Sequence, residues 1–108
     1  MNTTAKGTRA VREYAELLQD RGYTTDRKQQ GRGGMNDYWG MFDICSFNGD
    51  HFRLTQVKSN STQGAVKAIR LWLQCHDVPA GTVCEVAVRK DGAGGRPAEW
   101  RVTEVTVE

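Results

Sequence analysis

Three residues on two neighbouring apolar runs carry the chemistry that this 108-residue chain offers most clearly. Asp43 lies in Phe42-Asp43-Ile44, and Gln56 and Lys58 lie in Gln56-Val57-Lys58. Asn48-Gly49 stands between the two runs, and Asn-Gly flanked by strand-like segments is the strongest short-range signal for a hairpin. With Asn48-Gly49 as a two-residue turn, Phe47 pairs with Asp50. Asp43 then lies opposite Leu54 and diagonal to Gln56. Side chains alternate faces along a strand, so Gln56 and Lys58 share a face and pairing adds Asp43 to it. A three-residue turn would send Asp43 to the other face.

A carboxylate and an amide oxygen are hard ligands. They suit Mg²⁺, which keeps several waters and takes few protein groups. A metal held there can polarise a phosphate, acidify a bound water and stabilise a leaving oxygen. The Lys58 ammonium can neutralise developing charge or orient the attacking water. The cluster therefore suits metal-assisted phosphodiester cleavage. On the hairpin alone, an ordinary cross-strand ion pair between Asp43 and Lys58 is the simpler reading.

The elements that would position this cluster follow from periodicity. Ala10, Val11, Tyr14, Leu17 and Leu18 recur at helical spacing and predict a helix over 4–21, stopped by Gly22. Residues 23–27 form a short strand, and 28–36 a Gly-rich basic loop. The hairpin strands span 39–47 and 51–58. Ser59 to Ser61 offer N-caps for a second helix that carries Ala65, Ile69, Trp72, Leu73 and His76 on one side and ends before Pro79. Residues 82–89 alternate Cys84, Val86 and Val88 on one face of a strand. A turn-rich loop over 91–97 leads to a last strand over 99–107. The order is αβββαββ. It predicts an α/β fold over 1–108, a single domain with one mixed sheet flanked by two helices.

Composition bounds the rest. The formal net charge of +2 does not by itself announce nucleic acid. Its distribution says more: Lys6, Arg9, Arg12, Arg21, Arg27, Lys28 and Arg32 precede Met35, and a basic edge facing phosphate and a solvated helix face plus loop are both consistent with them. No apolar run is long enough to span a membrane, and the first residues lack the apolar core of a signal peptide. Cys45, Cys75 and Cys84 are odd in number without Cys-x-x-Cys spacing. They read as reduced thiols of a cytoplasmic protein. His51 and His76 lack zinc-ligand spacing.

These pieces, in this order, resemble the core of the PD-(D/E)xK nuclease superfamily. The matching residues are Gly7, Glu13, Leu17-Leu18 and Gly22-Tyr23, then Phe42-Asp43-Ile44, then Gln56-Val57-Lys58-Ser59. The opening helix and the twelve residues between Asp43 and Gln56 are similar to archaeal-type Holliday junction resolvases. The resemblance implies a restriction-endonuclease-like αβββαβ core. It implies that Asp43, Gln56 and the Val57 backbone carbonyl hold Mg²⁺, with Mn²⁺ as a substitute, and that Lys58 is the catalytic lysine. It implies in-line attack by an activated water, leaving 5′-phosphate and 3′-hydroxyl ends. It implies a DNA partner, branched or duplex, cut by a homodimer.

The chain departs from that pattern at three points. Gln56 stands where the family usually has an acid, which predicts weaker metal binding. Val11 occupies the first-helix position that commonly carries a Glu. Glu13, which stacks on Leu17, is then expected to serve as the auxiliary acid, and Glu16 to be a surface acid. No Ser lies between Tyr23 and Cys45, where resolvases often place a catalytic one. Arg27, Lys28 and Arg32 are expected to grip phosphates, a contact that carries no sequence information. Gly31-Arg32-Gly33-Gly34 lacks the Gly-Lys-Ser/Thr of a P-loop. Asp37 reads as a turn residue or a second acid. Trp39 reads as a stacking residue, a dimer contact or core. Trp72 and Ile69 read as core, and Cys45 as a small buried residue beside Asp43. Arg89, Lys90 and Arg96 are candidates to touch a phosphate.

Overall fold

Apolar residues at helical spacing build α1 (Thr3–Asp20), which buries Ala10, Tyr14, Ala15 and Leu18. The computed structural model describes residues 3–27, 38–62, 64–92 and 94–107, with side chains from Arg9 onward. The remaining elements are β1 (Thr24–Arg27), β2 (Ile44–Phe47), β3 (Phe52–Ser59), α2 (Ala65–Cys75), β4 (Thr82–Lys90) and β5 (Glu99–Val105). The strands form one sheet in the order β1-β2-β3-β4-β5. Only β3 and β4 run parallel. This follows from the chain, because α2 lies between them and a parallel pair needs a crossover. The expected mixed α/β sheet with flanking helices is what forms.

Alternation divides the strands between two layers. Ile44 and Ala87 pack with Tyr14, Ala15 and Leu18 of α1. Leu54, Cys84, Val86 and Val88 pack with Ala65, Ile69 and Leu73 of α2. β4 is covered on both faces, which explains its nearly unbroken buried run from Cys84 to Val88.

Three local expectations are corrected. The hairpin closes one residue later than Asn-Gly chemistry suggested. Asn48 pairs with His51 through its N–H to the His51 carbonyl, 3.0 Å. Its side-chain Oδ1 accepts from the N–H groups of Asp50 and His51, at 2.8 and 2.7 Å. The Asn48 side chain thus makes an Asx turn, and Gly49 keeps a negative φ. Phe47 consequently pairs with Phe52, and Cys45 with Leu54. The turn is still two residues long, so face parity survives from Ile44 to Phe47, but Asp43 lies outside the ladder: its N–H meets the carbonyl of Thr55, the residue that Ile44 already opposes, so the expected pairing geometry does not extend to Asp43.

The strand expected over 39–47 is shortened. Tyr38 and Phe42 form an isolated bridge around Trp39 and Gly40, both at positive φ, and β2 begins only at Ile44. The second helix starts at Gly64, in the left-handed region and without a side-chain cap. Ser59 remains in β3, paired with Arg89, so Ser59 to Ser61 do not cap it. Cys45, Cys75 and Cys84 form no disulfide. No described helix is long and apolar enough to cross a membrane.

Candidate metal centre

The site arises where β2 leaves β3. The ladder runs from Phe47–Phe52 to Ile44–Thr55, and the Asp43 N–H then bonds the Thr55 carbonyl at 2.8 Å. Before Asp43 the chain turns away into the Tyr38–Phe42 bridge. Among the described residues, Val57 therefore faces no strand partner on that edge. Its N–H donates instead to the Asp43 carboxylate, with Oδ2 2.8 Å away. A strand residue projects its N–H and C=O to the same side, so the Val57 carbonyl opens onto the same gap.

Gln56 alternates with Val57 onto the α2 side of the sheet, the side of Leu54. Its Oε1 is buried and accepts no hydrogen bond. A buried oxygen without a donor costs free energy, and most such oxygens in folded proteins have one. A hard cation is the partner that this donor set fits: one carboxylate, one amide oxygen and one backbone carbonyl. Lys58, half-buried, shares the Gln56 face by alternation. Among the described residues no group of three or more His, Cys, Asp or Glu side chains could hold a metal ion, so a cation here would draw on amide and backbone oxygens beside Asp43.

The other expected residues are placed as follows. Glu13 accepts from Arg89 Nε at 2.7 Å, and Arg89 also donates to Asp91 at 2.7 Å. Glu13 thus meets the sheet on the α1 layer, over the strand beyond β3, and its described hydrogen bond is to Arg89 and not to the Asp43 edge. Both carboxylates hold the Arg89 guanidinium charged and raise its pKa. Glu16 is exposed, as a surface acid should be. Arg27 ends β1 and pairs with Ile44, one residue from Asp43. Lys28, Arg32 and Asp37 lie outside the described residues. Ile69 is core, and Trp72 packs against the core cluster. Trp39 is 61% exposed and is not a core residue.

One polar cluster escaped the sequence reading. Glu85 is fully buried on the α1 face. It accepts from Tyr14 OH at 2.9 Å and Thr55 Oγ1 at 2.7 Å, and pairs with Arg53. Arg53 also donates to Tyr23 OH at 3.2 Å and lies over that ring, 5.3 Å from its centroid. Burial, then the Glu85 charge, raises the Tyr14 phenol well above its ordinary range. The neighbouring Cys84 thiol is pushed up to about 11 by burial and then by Glu85, which keeps it protonated and inert. The available signal was a charged residue inside the apolar run Cys84-Glu85-Val86-Ala87-Val88.

No family model matches the chain, and no curated protein matches it in sequence. Among solved structures, the chain is similar to Hjc of Archaeoglobus fulgidus, a Holliday junction resolvase from an archaeal hyperthermophile. The match has a TM-score of 0.59 and 21% identity, and covers 91% of this chain and 76% of that one. The fold is that of a Holliday junction resolvase. The resemblance read from the order of short motifs therefore holds at the level of architecture. On the resolvase fold found here, the Asp43–Val57 contact and the orphaned Gln56 oxygen lie together at the divergence of β2 from β3.

Proposed function

We propose that the chain is a metal-dependent DNA endonuclease that hydrolyses phosphodiester bonds at the Asp43–Gln56–Lys58 edge. The observation that carries this reading is the buried Gln56 Oε1 without a donor, beside a carboxylate fixed by the Val57 N–H. Asp43, Gln56 and the Val57 carbonyl would hold Mg²⁺, or Mn²⁺ in its place. When bound, the ion supplies Lewis acidity and a water of lowered pKa.

The side chains supply the rest. The Val57 N–H fixes the orientation of the Asp43 carboxylate. Lys58 neutralises charge that develops on the phosphate or orients the attacking water. Arg27, with Lys28 and Arg32, grips flanking phosphates. Glu13 is assigned the auxiliary acid role through Arg89, whose guanidinium it holds at the end of β4. The enzyme works inside the cell, as a homodimer whose two-fold related sites suit branched DNA, and a four-way junction is the preferred substrate.

The competing reading is a DNA-binding protein that has lost catalysis. Gln56 in place of an acid, with no group of three or more His, Cys, Asp or Glu side chains among the described residues that could hold a metal ion, favours it. Cleavage of a labelled four-way junction, a linear duplex and a single strand decides between the two. Wild type should cut in Mg²⁺ or Mn²⁺ and not in chelator, with the junction cut fastest, and Lys58→Ala should bind but not cut. Salt-sensitive binding without cutting of any substrate would establish the binder instead.

A further inference from the structure

The turn that ends just before Asp43 displays a large aromatic side chain in a backbone conformation that disfavours it. Tyr38 O accepts from Met41 N–H at 3.0 Å, enclosing Trp39 at φ 53 and Gly40 at φ 68. Positive φ at both central positions is a type I′ turn, whose first central position usually takes Asn, Asp or Gly. A bulky residue there is a genuine outlier, and such strain persists where the surroundings over-determine it.

The surroundings do so here. Tyr38 is anchored on β1 by its phenol, which donates to the Asp26 carboxylate. Phe42 is fully buried, and the Tyr38 N–H bonds its carbonyl at 2.7 Å. Behind Trp39 stands Trp72 of α2, with ring centroids 6.0 Å apart. Trp72 is in turn held edge-on by Phe42 at 5.2 Å and stacked on His76 at 4.5 Å. A rigid aromatic pile thus ends in Trp39, which stays 61% exposed. It lies on the α2 layer, the side of Gln56 and Lys58, four residues from Asp43.

We propose that Trp39 is a stacking platform for an unpaired base of the DNA bound at the adjacent Asp43–Lys58 edge. This rests on the reading that the edge acts on DNA. A π-face carries no sequence preference, and the exposed ring is rigid before binding, so little order is lost on contact. The position ahead of the metal-holding carboxylate selects DNA whose bases are unstacked near the scissile phosphate, such as a branch point or a single strand. A fully paired duplex offers the ring nothing to stack on.

The test uses the full chain in chelator, so that binding is read without cleavage. The probes are a single strand, a four-way junction with 2-aminopurine at its branch point, and a continuous duplex. Wild type should quench the 2-aminopurine. Trp39→Ala should bind the single strand and the junction about 5- to 150-fold more weakly, the range that one base–aromatic stack supplies. The duplex affinity and the salt slope should not change, because no phosphate contact is lost. Trp39→Phe should recover part of the quench. Trp39→Gly relieves the positive φ and should stay folded by its melting curve while losing the quench.

Equal affinity loss on duplex and single strand, or no loss on either, overturns the proposal. So does an unchanged quench with a shift from dimer to monomer in sedimentation, which would make Trp39 a protein contact. Wild type that quenches through Trp39 but cuts nothing upholds the platform and defeats the nuclease reading. Wild type that cuts DNA with a quench indifferent to Trp39 does the reverse. Absence of any DNA binding by wild type defeats both.

Discussion

Thr55 and Gln56 are consecutive residues of one strand, and their polar atoms meet opposite fates. Thr55 points to the α1 layer, where its hydroxyl donates to Glu85 beside Tyr14 and Arg53, a network in which the Glu85 carboxylate is well supplied with donors while Arg53 Nε is left over. Gln56 points to the α2 layer with a buried oxygen that receives nothing. Both sites hold a carboxylate, Glu85 on one side and Asp43 on the other. In the first, protein donors surround the charge. In the second, the Val57 N–H donates to the carboxylate, and the buried oxygen of the neighbouring Gln56 amide receives no donor among the described residues. A buried network that supplies its carboxylate with several donors rigidifies a core, whereas a buried amide oxygen without a donor beside a carboxylate suits a bound water or ion. We therefore assign the first site to stability and propose the second as the functional one.

Variants at the two sites should separate these roles. The largest effect is expected at Glu85. Glu85→Ala leaves Arg53 without its buried partner and should cost about 3–5 kcal/mol, read as a lower urea midpoint. A loss below about 1 kcal/mol would show that the network is dispensable. Next comes Lys58→Ala, which should lower the cleavage rate about 10²- to 10³-fold with little change in the same midpoint. A variant that instead unfolds would place Lys58 on the structural side of the comparison.

Gln56 gives the sharpest contrast. Gln56→Leu removes the orphaned oxygen, so stability should hold or rise by about 1 kcal/mol while cleavage is lost. Gln56→Glu should lower the metal concentration needed for half-maximal cleavage by adding a second carboxylate. If Gln56→Leu is both destabilised and fully active, the oxygen is structural after all.

The smallest effect is at Tyr14. Its folded-state pKa is raised, first by burial and then by Glu85. The stability linked to that proton is fully present below about pH 10, where an unfolded tyrosine ionises. It is lost as the pH climbs through the folded-state value. Tyr14→Phe should cost about 1 kcal/mol near neutrality and should flatten the loss of stability above pH 10. An identical alkaline profile in wild type and variant would contradict this.

How much of this was legible follows from what each signal encodes. Hydrophobic spacing in Ala10, Tyr14 and Leu18, and alternation in Cys84, Val86 and Val88, report directly which face is buried, and both helices and the order of elements along the chain were readable from such patterns. The shared face of Gln56 and Lys58 was readable because residues two apart on a strand point the same way, and a two-residue turn preserves parity wherever it is centred. Its centre was not readable, because the Asn48 side chain chose an Asx turn over a left-handed Asn-Gly turn. The start of α2 was not readable either, since Gly64 begins it without a side-chain cap. The exposure of Trp39 depends on a strained turn that no propensity favours. Glu85 was hidden because a buried charge is revealed only by the tertiary partners that surround it.

The central claim is that Asp43 and Gln56 hold a divalent metal. Paramagnetic broadening of amide resonances by substoichiometric Mn²⁺, in wild type and in Asp43→Asn, tests it most directly, because it detects weak binding and needs neither DNA nor turnover. The account predicts early loss of the Gln56 side-chain amide and the Val57 backbone amide in wild type, and their survival in Asp43→Asn. Broadening that avoids these two signals, or that is the same in both proteins, would contradict it.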